Sequence, residues 1–204
     1  MPFPRCARCG HPITTHACQW CANLPPFVRC ARSYCWIGAG SGKDIVHALK
    51  YDGWTRVGAG IARRLAHVSF PLDVTLERTA LIPVPLAMSR LRERGFNQTE
   101  IIANALSPLW EIPVWKHVLV RASSARSQTQ LTPGERLGNV AGAFSVPALS
   151  RTTIGGAHLI LVDDVVTTGA TLGAAAAALF AGGARTISYM TFGRAPASGD
   201  RLIP

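Results

Sequence analysis

LILVDDVVTTGAT, residues 159–171, decides the fold of this chain. With His158 in front of it, Leu159–Val162 is a short continuous apolar run, the pattern of a strand buried on both faces of a parallel sheet. The strand runs into two adjacent carboxylates, Asp163 and Asp164. A hydroxyl-rich turn with one glycine follows, Thr167-Thr168-Gly169-Ala170-Thr171, and opens an Ala-rich helix over 171–181. Open α/β sheets collect ligands at the carboxyl ends of their strands. A helix N-terminus offers unpaired N–H groups and the positive end of the dipole, so a phosphate belongs there. Gly169 lets the backbone approach closely, and the threonine hydroxyls add donors. Carboxylates so near a phosphate repel it unless they serve another part of the ligand, and a sugar diol suits them because a carboxylate accepts from hydroxyls. The parts describe a site for ribose 5-phosphate. Asp and Thr are also ordinary capping residues at a strand–helix junction. Only the whole thirteen-residue pattern separates the two readings.

Outward from this run, helix and strand alternate. Strands are expected over 34–39, 79–83, 117–121 and 186–192. Helices are expected over 44–51, about 57–68, and 97–109 with Ile101, Ile102, Ala105, Leu106 and Leu109 on one face. Gly182-Gly183 stops the helix that follows the threonine turn, and Ala122–Gly134, rich in Ser, Thr and Gln, reads as a mobile loop. Strand–helix–strand at this spacing is a βαβ unit, so the fold class is α/β: a parallel sheet with helices on both faces.

All six cysteines lie before residue 36. Cys6, Cys9, Cys18 and Cys21 read C-x2-C, eight residues, C-x2-C. Two such pairs set four soft ligands in two tight turns, which suits a structural zinc ion with no open coordination position. Gly10 fits the positive φ of a knuckle turn. A disulfide framework is the competing reading, disfavoured by the absence of a secretory signal. His11 and His16 flank the pairs and can replace a thiolate, although a surface position is expected. Cys30 and Cys35 have no partner pair and are expected to be small buried residues.

The 204 residues carry Lys+Arg 21 against Asp+Glu 11, a formal +10, with only Lys43, Lys50 and Lys116 as lysines. Four thiolates around one Zn²⁺ bring the folded charge to about +8. An arginine-rich excess favours a phosphorylated or polyanionic partner. No apolar run reaches the roughly 18 residues of a spanning helix, and the N-terminus lacks the apolar core of a secretory signal, so a cytoplasmic protein is expected.

The run 159–171 resembles the phosphoribosyl pyrophosphate (PRPP) signature of type I phosphoribosyltransferases. The order of the cysteine pairs, Lys50-Tyr51, Pro83-Val84-Pro85-Leu86, Arg94-Gly95-Phe96-Asn97-Gln98, Gln128 with Arg136 and Asn139-Val140, and LVDDVVTTGAT resembles the ComF family of competence-associated proteins over almost the whole chain. The resemblance implies two parts: a four-cysteine zinc module over 1–33 and a phosphoribosyltransferase-like domain over 34–204. It implies that Asp163 and Asp164 hold the ribose hydroxyls, and are the catalytic pair in an active enzyme. Val165, Thr167, Thr168, Gly169, Ala170 and Thr171 form the PRPP turn, with Pro83, Val84 and Pro85 beside it. PRPP would come with Mg²⁺. The partners implied are PRPP, single-stranded DNA taken up in natural transformation, and other competence proteins such as a DNA-translocating helicase, with no membrane insertion.

Arg90, Arg92 and Arg94 recur at every second residue. They spread around a short helix or line one side of an extended chain. Arg94, Asn97 and Gln98 face either a pyrophosphate or a DNA backbone, and Phe96 either stacks a base or anchors the core. Gly38–Lys43 imitates a nucleotide P-loop but has Ile37 and Asp44 where Gly and Ser or Thr belong, so it reads as a turn and helix start. Three functions stay open: DNA handling with PRPP as ligand, phosphoribosyl transfer to an unidentified acceptor, and PRPP sensing without turnover.

Overall fold

The apolar run at 158–162 becomes a central strand of a four-stranded parallel sheet. The computed structural model describes residues 5–12, 18, 21, 24–38, 41–122 and 142–196. In chain order the elements are β1 (Val28–Trp36), α1 (Ser41–Tyr51), α2 (Arg56–Ala66), α3 (Leu72–Glu77), β2 (Arg78–Pro83), α4 (Met88–Arg94) and α5 (Gln98–Trp110), followed by the short strands β3 (Val120–Arg121) and β4 (Phe144–Ser145). A one-turn helix α6 (Arg151–Ile154) then leads into β5 (His158–Val166), α7 (Ala170–Ala181) and β6 (Thr186–Arg194). The sheet order is β1-β6-β5-β2, all parallel, while β3 and β4 pair antiparallel.

Because β5 is internal, its pleat feeds two cores. Leu159 and Leu161 pack with Leu172, Ala175, Ala176 and Leu179 of α7. Ile160 and Val162 pack with Leu49 of α1, Ile61 and Leu65 of α2, and Ile102 and Leu106 of α5. These four strand residues have no exposed surface, and each such side chain contributes about 1.5–3 kcal/mol of burial. The expected α/β class, a parallel sheet covered on both faces, is what the chain adopts. Among the described residues no helix is long and apolar enough to cross a membrane.

Several expectations shift. The strand expected over 34–39 is β1, which starts at Val28 and crosses the expected division at residue 33. Its pairing with β6, from Val28 opposite Ile187 to Trp36 opposite Arg194, overrides the polar interruptions at Arg29, Arg32 and Ser33. Cys30 and Cys35 lie on this strand, Cys30 fully buried and Cys35 half-buried. The α5 face is rotated: Ile102, Ala103, Leu106 and Trp110 are buried, and Leu109 is exposed. Only Val120–Arg121 of the strand expected over 117–121 forms. The loop expected from Ala122 to Gly134 lies outside the described residues after Ala122, as do His16, Gln128, Arg136 and Asn139-Val140.

Candidate functional site

Adjacent strands β2 and β5 end side by side, with Pro83 opposite Val162 and the Val84 N–H donating to the Val162 carbonyl at 3.0 Å. That pairing brings the Pro83-Val84-Pro85 turn next to Asp163 and Asp164. Successive strand residues point to opposite faces, so the two carboxylates separate. Asp164 turns to the side of α1 and α5. Lys50 of α1 places its Nζ 2.9 Å from Asp164 Oδ2, and Gln98 donates from Nε2 to the same oxygen at 3.0 Å. Asp164 is therefore buried and paired, and does not simply project from the strand end as its position in sequence suggests. Asp163 takes the α7 side, and its Oδ1 accepts from the Asp164 N–H at 2.8 Å. Burial, and then the neighbouring Asp164 carboxylate, push the Asp163 carboxyl up to about 7.

The threonine turn is built as expected. Gly169 sits at φ +81 as the N-cap of α7, a conformation that favours glycine. Thr168 Oγ1 accepts from the Ala170 N–H at 3.3 Å, and no acidic residue occupies the first turn of α7. Thr167 and Thr168 are exposed. The positive end of this helix therefore carries no competing side-chain charge of its own.

Arg90, Arg92 and Arg94 fall on α4, which resolves the choice between helix and extended chain. Arg90 and Arg92 are exposed. Arg94 turns inward, donating to Gln98 Oε1 at 3.1 Å and Tyr51 Oη at 3.3 Å, with its guanidinium 4.8 Å from the Tyr51 ring centroid. Its Nε is buried with no partner among the described residues. Gln98 is thus a buried link in a chain Arg94–Gln98–Asp164–Lys50. Asn97 caps α5 by accepting from the Thr99 N–H at 3.2 Å and donates to the Val84 carbonyl at 3.2 Å, which ties α5 to the proline turn. Phe96 is half-buried.

The four cysteines converge. The Sγ atoms of Cys6, Cys9, Cys18 and Cys21 all lie within 4.8 Å of one another, with Cys6–Cys21 at 3.1 Å and Cys9–Cys18 at 3.3 Å. Tetrahedral zinc with Zn–S near 2.3 Å separates its sulfurs by about 3.8 Å, so this donor set can hold a metal such as zinc after a small adjustment. Burial raises the Cys6 thiol, but hydrogen bonds from the Cys9 backbone, Cys21 and the Arg8 backbone outweigh it and bring Cys6 down to about 6. Gly10 has the positive φ of the knuckle, +68, and a Cβ there would lie 2.7 Å from the Ala31 carbonyl oxygen. His11 is buried edge-on to Trp36 at 5.7 Å, contrary to its expected surface position. Three arginines bind backbone carbonyls around this module. Arg8 donates to Cys21, Leu24, Pro25 and Val28, Arg32 to Ala7, Arg8, Ala31 and Ser69, and Arg194 to Cys9. Part of the chain's arginine excess is thereby structural.

Lys50 and Tyr51 were legible only as a motif, because nothing local says that a lysine on α1 meets a carboxylate 114 residues later. Arg121 was missed as a neighbour of the site. Burial and nearby Arg90 lower its pKa, and Asp163 raises it, so the three charges sense one another.

No family model matches the chain. It is 38% identical over 93 residues to competence protein F of Haemophilus influenzae, covering 46% of this chain and 40% of that protein, so the match spans less than half of the relative. It is 30% identical over 193 residues to the DNA utilization protein YhgH of Shigella flexneri, covering 89% of this chain and 80% of that protein. Among solved structures it is similar to the glutamine phosphoribosylpyrophosphate amidotransferase from B. subtilis complexed with ADP and GMP. There the TM-score is 0.45 and the identity 18%, over 66% of this chain and 25% of that one.

Proposed function

The chain belongs to the ComF family of competence-associated proteins, and on that premise we propose that it handles incoming single-stranded DNA in natural transformation and binds PRPP at the ends of β2 and β5. The observation that carries the PRPP reading is the meeting of two turns and a strand end: Pro83–Pro85, Thr167–Thr171 at the start of α7, and the carboxylates of Asp163 and Asp164 on β5. In this reading the 5-phosphate lies on the amides and hydroxyls of Thr167–Thr171. Asp163 accepts from the ribose hydroxyls. Asp164, held by Lys50 and Gln98, gives the strand end its shape and a second acceptor. Val84 and Pro85 border the pyrophosphate, and Mg²⁺ arriving with PRPP offsets its charge.

Exposed Arg90 and Arg92 supply the nucleic-acid contact, with the half-buried Phe96 following them in the chain. The division into a zinc module over 1–33 and a phosphoribosyltransferase-like domain over 34–204 is part of the proposal, the two being joined through β1. Cytoplasmic residence and association with other competence proteins such as a DNA-translocating helicase complete it.

A catalytic reading starts from the adjacent carboxylates Asp163 and Asp164 at the end of β5. Asp163 is pushed up to about 7, where a carboxyl can exchange a proton near neutral pH. In that reading the chain transfers the phosphoribosyl group to an acceptor with loss of pyrophosphate.

Calorimetric titration of the full chain with PRPP tests the proposal, with and without Mg²⁺ and a single-stranded oligonucleotide. Saturable PRPP binding that Thr168→Val weakens is expected. Mutual enhancement of PRPP and DNA binding would connect the two ligands by linkage. Absence of PRPP binding overturns the reading of the turn.

A further inference from the structure

The end of the sheet opposite the proposed PRPP site is where the strands begin, and α3 leads into it. Arg78, the first residue of β2, follows α3 directly, Arg29 is the second residue of β1, and Arg185 stands one residue ahead of β6. Val74 is the buried residue of α3, with no exposed surface, and fixes which side of the helix faces the core. At 3.6 residues per turn, Leu72 and Leu76 each lie about 160° around the helix from Val74, one on either side of the outward direction. They are 73% and 75% exposed. Leu109 of α5, 48% exposed, belongs to the same end. The next residue, Trp110, meets Phe70 edge-on at 5.7 Å and lies 4.3 Å below the Arg78 guanidinium, and Phe70 and Arg78 flank α3.

A surface helix normally turns its apolar residues to the core and its polar ones to water. α3 keeps one apolar residue for the core and points two leucines at solvent. A contiguous apolar patch rimmed by polar residues marks an interaction surface.

Charge identifies the occupant. The chain's formal charge is +10, so two copies repel over most of their surface. Around α3 the charges cancel. Asp73 accepts from Arg29 through both carboxylate oxygens, the longer contact being 3.0 Å, and Glu77 accepts from Arg185 at 2.6 Å. All four side chains are between 40% and 54% exposed. A nucleic acid laid on this face would meet the two carboxylates. A second copy of the chain carries the same two acids and two bases. With a twofold axis across α3, the two helices run antiparallel and Asp73 of one copy lies beside Glu77 of the other. Arg29 then bridges its own Asp73 and the second copy's Glu77, Arg185 bridges its own Glu77 and the second copy's Asp73, and the leucines meet between them. A twofold interface is self-complementary in this way.

We propose that the chain pairs with a second copy of itself through the outward face of α3. Pairing at this end leaves the carboxyl ends of β2 and β5 open in both copies, and it does not depend on what binds there. The shared surface is small, at the low end of specific interfaces, so the dimer is weak and forms at micromolar concentrations and above.

Sedimentation equilibrium of the full chain with zinc, from about 1 to 500 μM, reads the association directly. The average mass should rise from one chain toward two. Leu72→Gln with Leu76→Gln keeps the helix propensity and removes the apolar contact. It should weaken association about 10-fold or more while leaving Tm within about 2 °C. A second pair of variants carries the test if that one fails to fold. Asp73→Lys with Glu77→Lys makes the face wholly positive, and Arg29→Glu with Arg185→Glu makes it wholly negative. Each should stay a single chain alone, and the two mixed should form a one-to-one dimer. A parent chain that keeps the mass of one chain throughout overturns the proposal. Association that the leucine and charge variants leave unchanged also overturns it, and growth past two chains overturns the closed twofold pairing.

Discussion

The two faces of the sheet treat their polar groups differently at the ligand end. Toward α5, Asp164 is paired with Lys50 and Gln98, Gln98 with Arg94, and Arg94 with Tyr51, with only Arg94 Nε left without a partner among the described residues. Toward α7, Tyr189 Oη has no partner among the described residues, Gly173 faces open space, and Asp163 holds a carboxyl pushed up to about 7. Paired charges make a rigid support whose geometry exists before any ligand arrives. Unpartnered groups store a cost that a ligand can relieve. In the proposed function the α5 face is thus the scaffold and the α7 face the receiving side.

Breaking the cysteine cluster should have the largest effect. Cys21→Ser removes one of four ligands, and metal binding in such modules is itself folding energy, on the order of 10 kcal/mol. Metal per chain should fall from about one to near zero, and amide exchange around residues 5–12 should accelerate. Retention of a full complement of zinc would contradict the assignment of four cysteine ligands.

On the scaffold side, Asp164→Ala strands Lys50, whose side chain is 22% exposed, and should cost about 3 kcal/mol in urea unfolding. Lys50→Met combined with Asp164→Leu should recover most of that loss, because an apolar pair needs no charge compensation. A loss under about 0.5 kcal/mol in the single variant would mean that the network does not support the fold.

Asp163 should behave in the opposite sense. Its ordinary value is 3.8, and burial beside the Asp164 carboxylate pushes it up to about 7. Between those limits the folded state keeps a proton that the unfolded state releases, so this residue's contribution to stability falls as pH rises from about 4 to about 7. Asp163→Asn should therefore stabilise the chain by about 1–2 kcal/mol at pH 8, a Tm rise of about 3–6 °C, with the difference vanishing near pH 4. A variant less stable than the parent at pH 8 would place the carboxylate in a favourable pairing instead.

The smallest effect separates binding from folding. Arg90→Ala with Arg92→Ala leaves the Arg94 hydrogen bonds in place and should change Tm by no more than about 2 °C. If these arginines touch a DNA backbone, the slope of log affinity against log salt should shrink by about 0.7 for each phosphate no longer neutralised. An unchanged slope would move the DNA footprint elsewhere on the surface.

Sequence alone determined the elements whose chemistry is local. The run 158–171 announced a doubly buried strand, its terminal carboxylates and a glycine-opened helix, because hydrophobic continuity and turn chemistry act within a few residues. The CxxC spacing announced a metal-competent cluster for the same reason. The α5 face was read one position off, with Leu109 turned outward, because helical periodicity alone does not say where on the circumference the sheet will press. Only the tertiary structure decided which partners meet Asp164 and that Asp163 has none of them. It also extended β1 back to Val28 and buried His11. Each of these depends on strand register and on meetings between residues far apart in the chain: β1 with β6, Lys50 with Asp164, Arg194 with Cys9. Such pairings form only when the loops between them close, and no local pattern encodes which distant surfaces then meet.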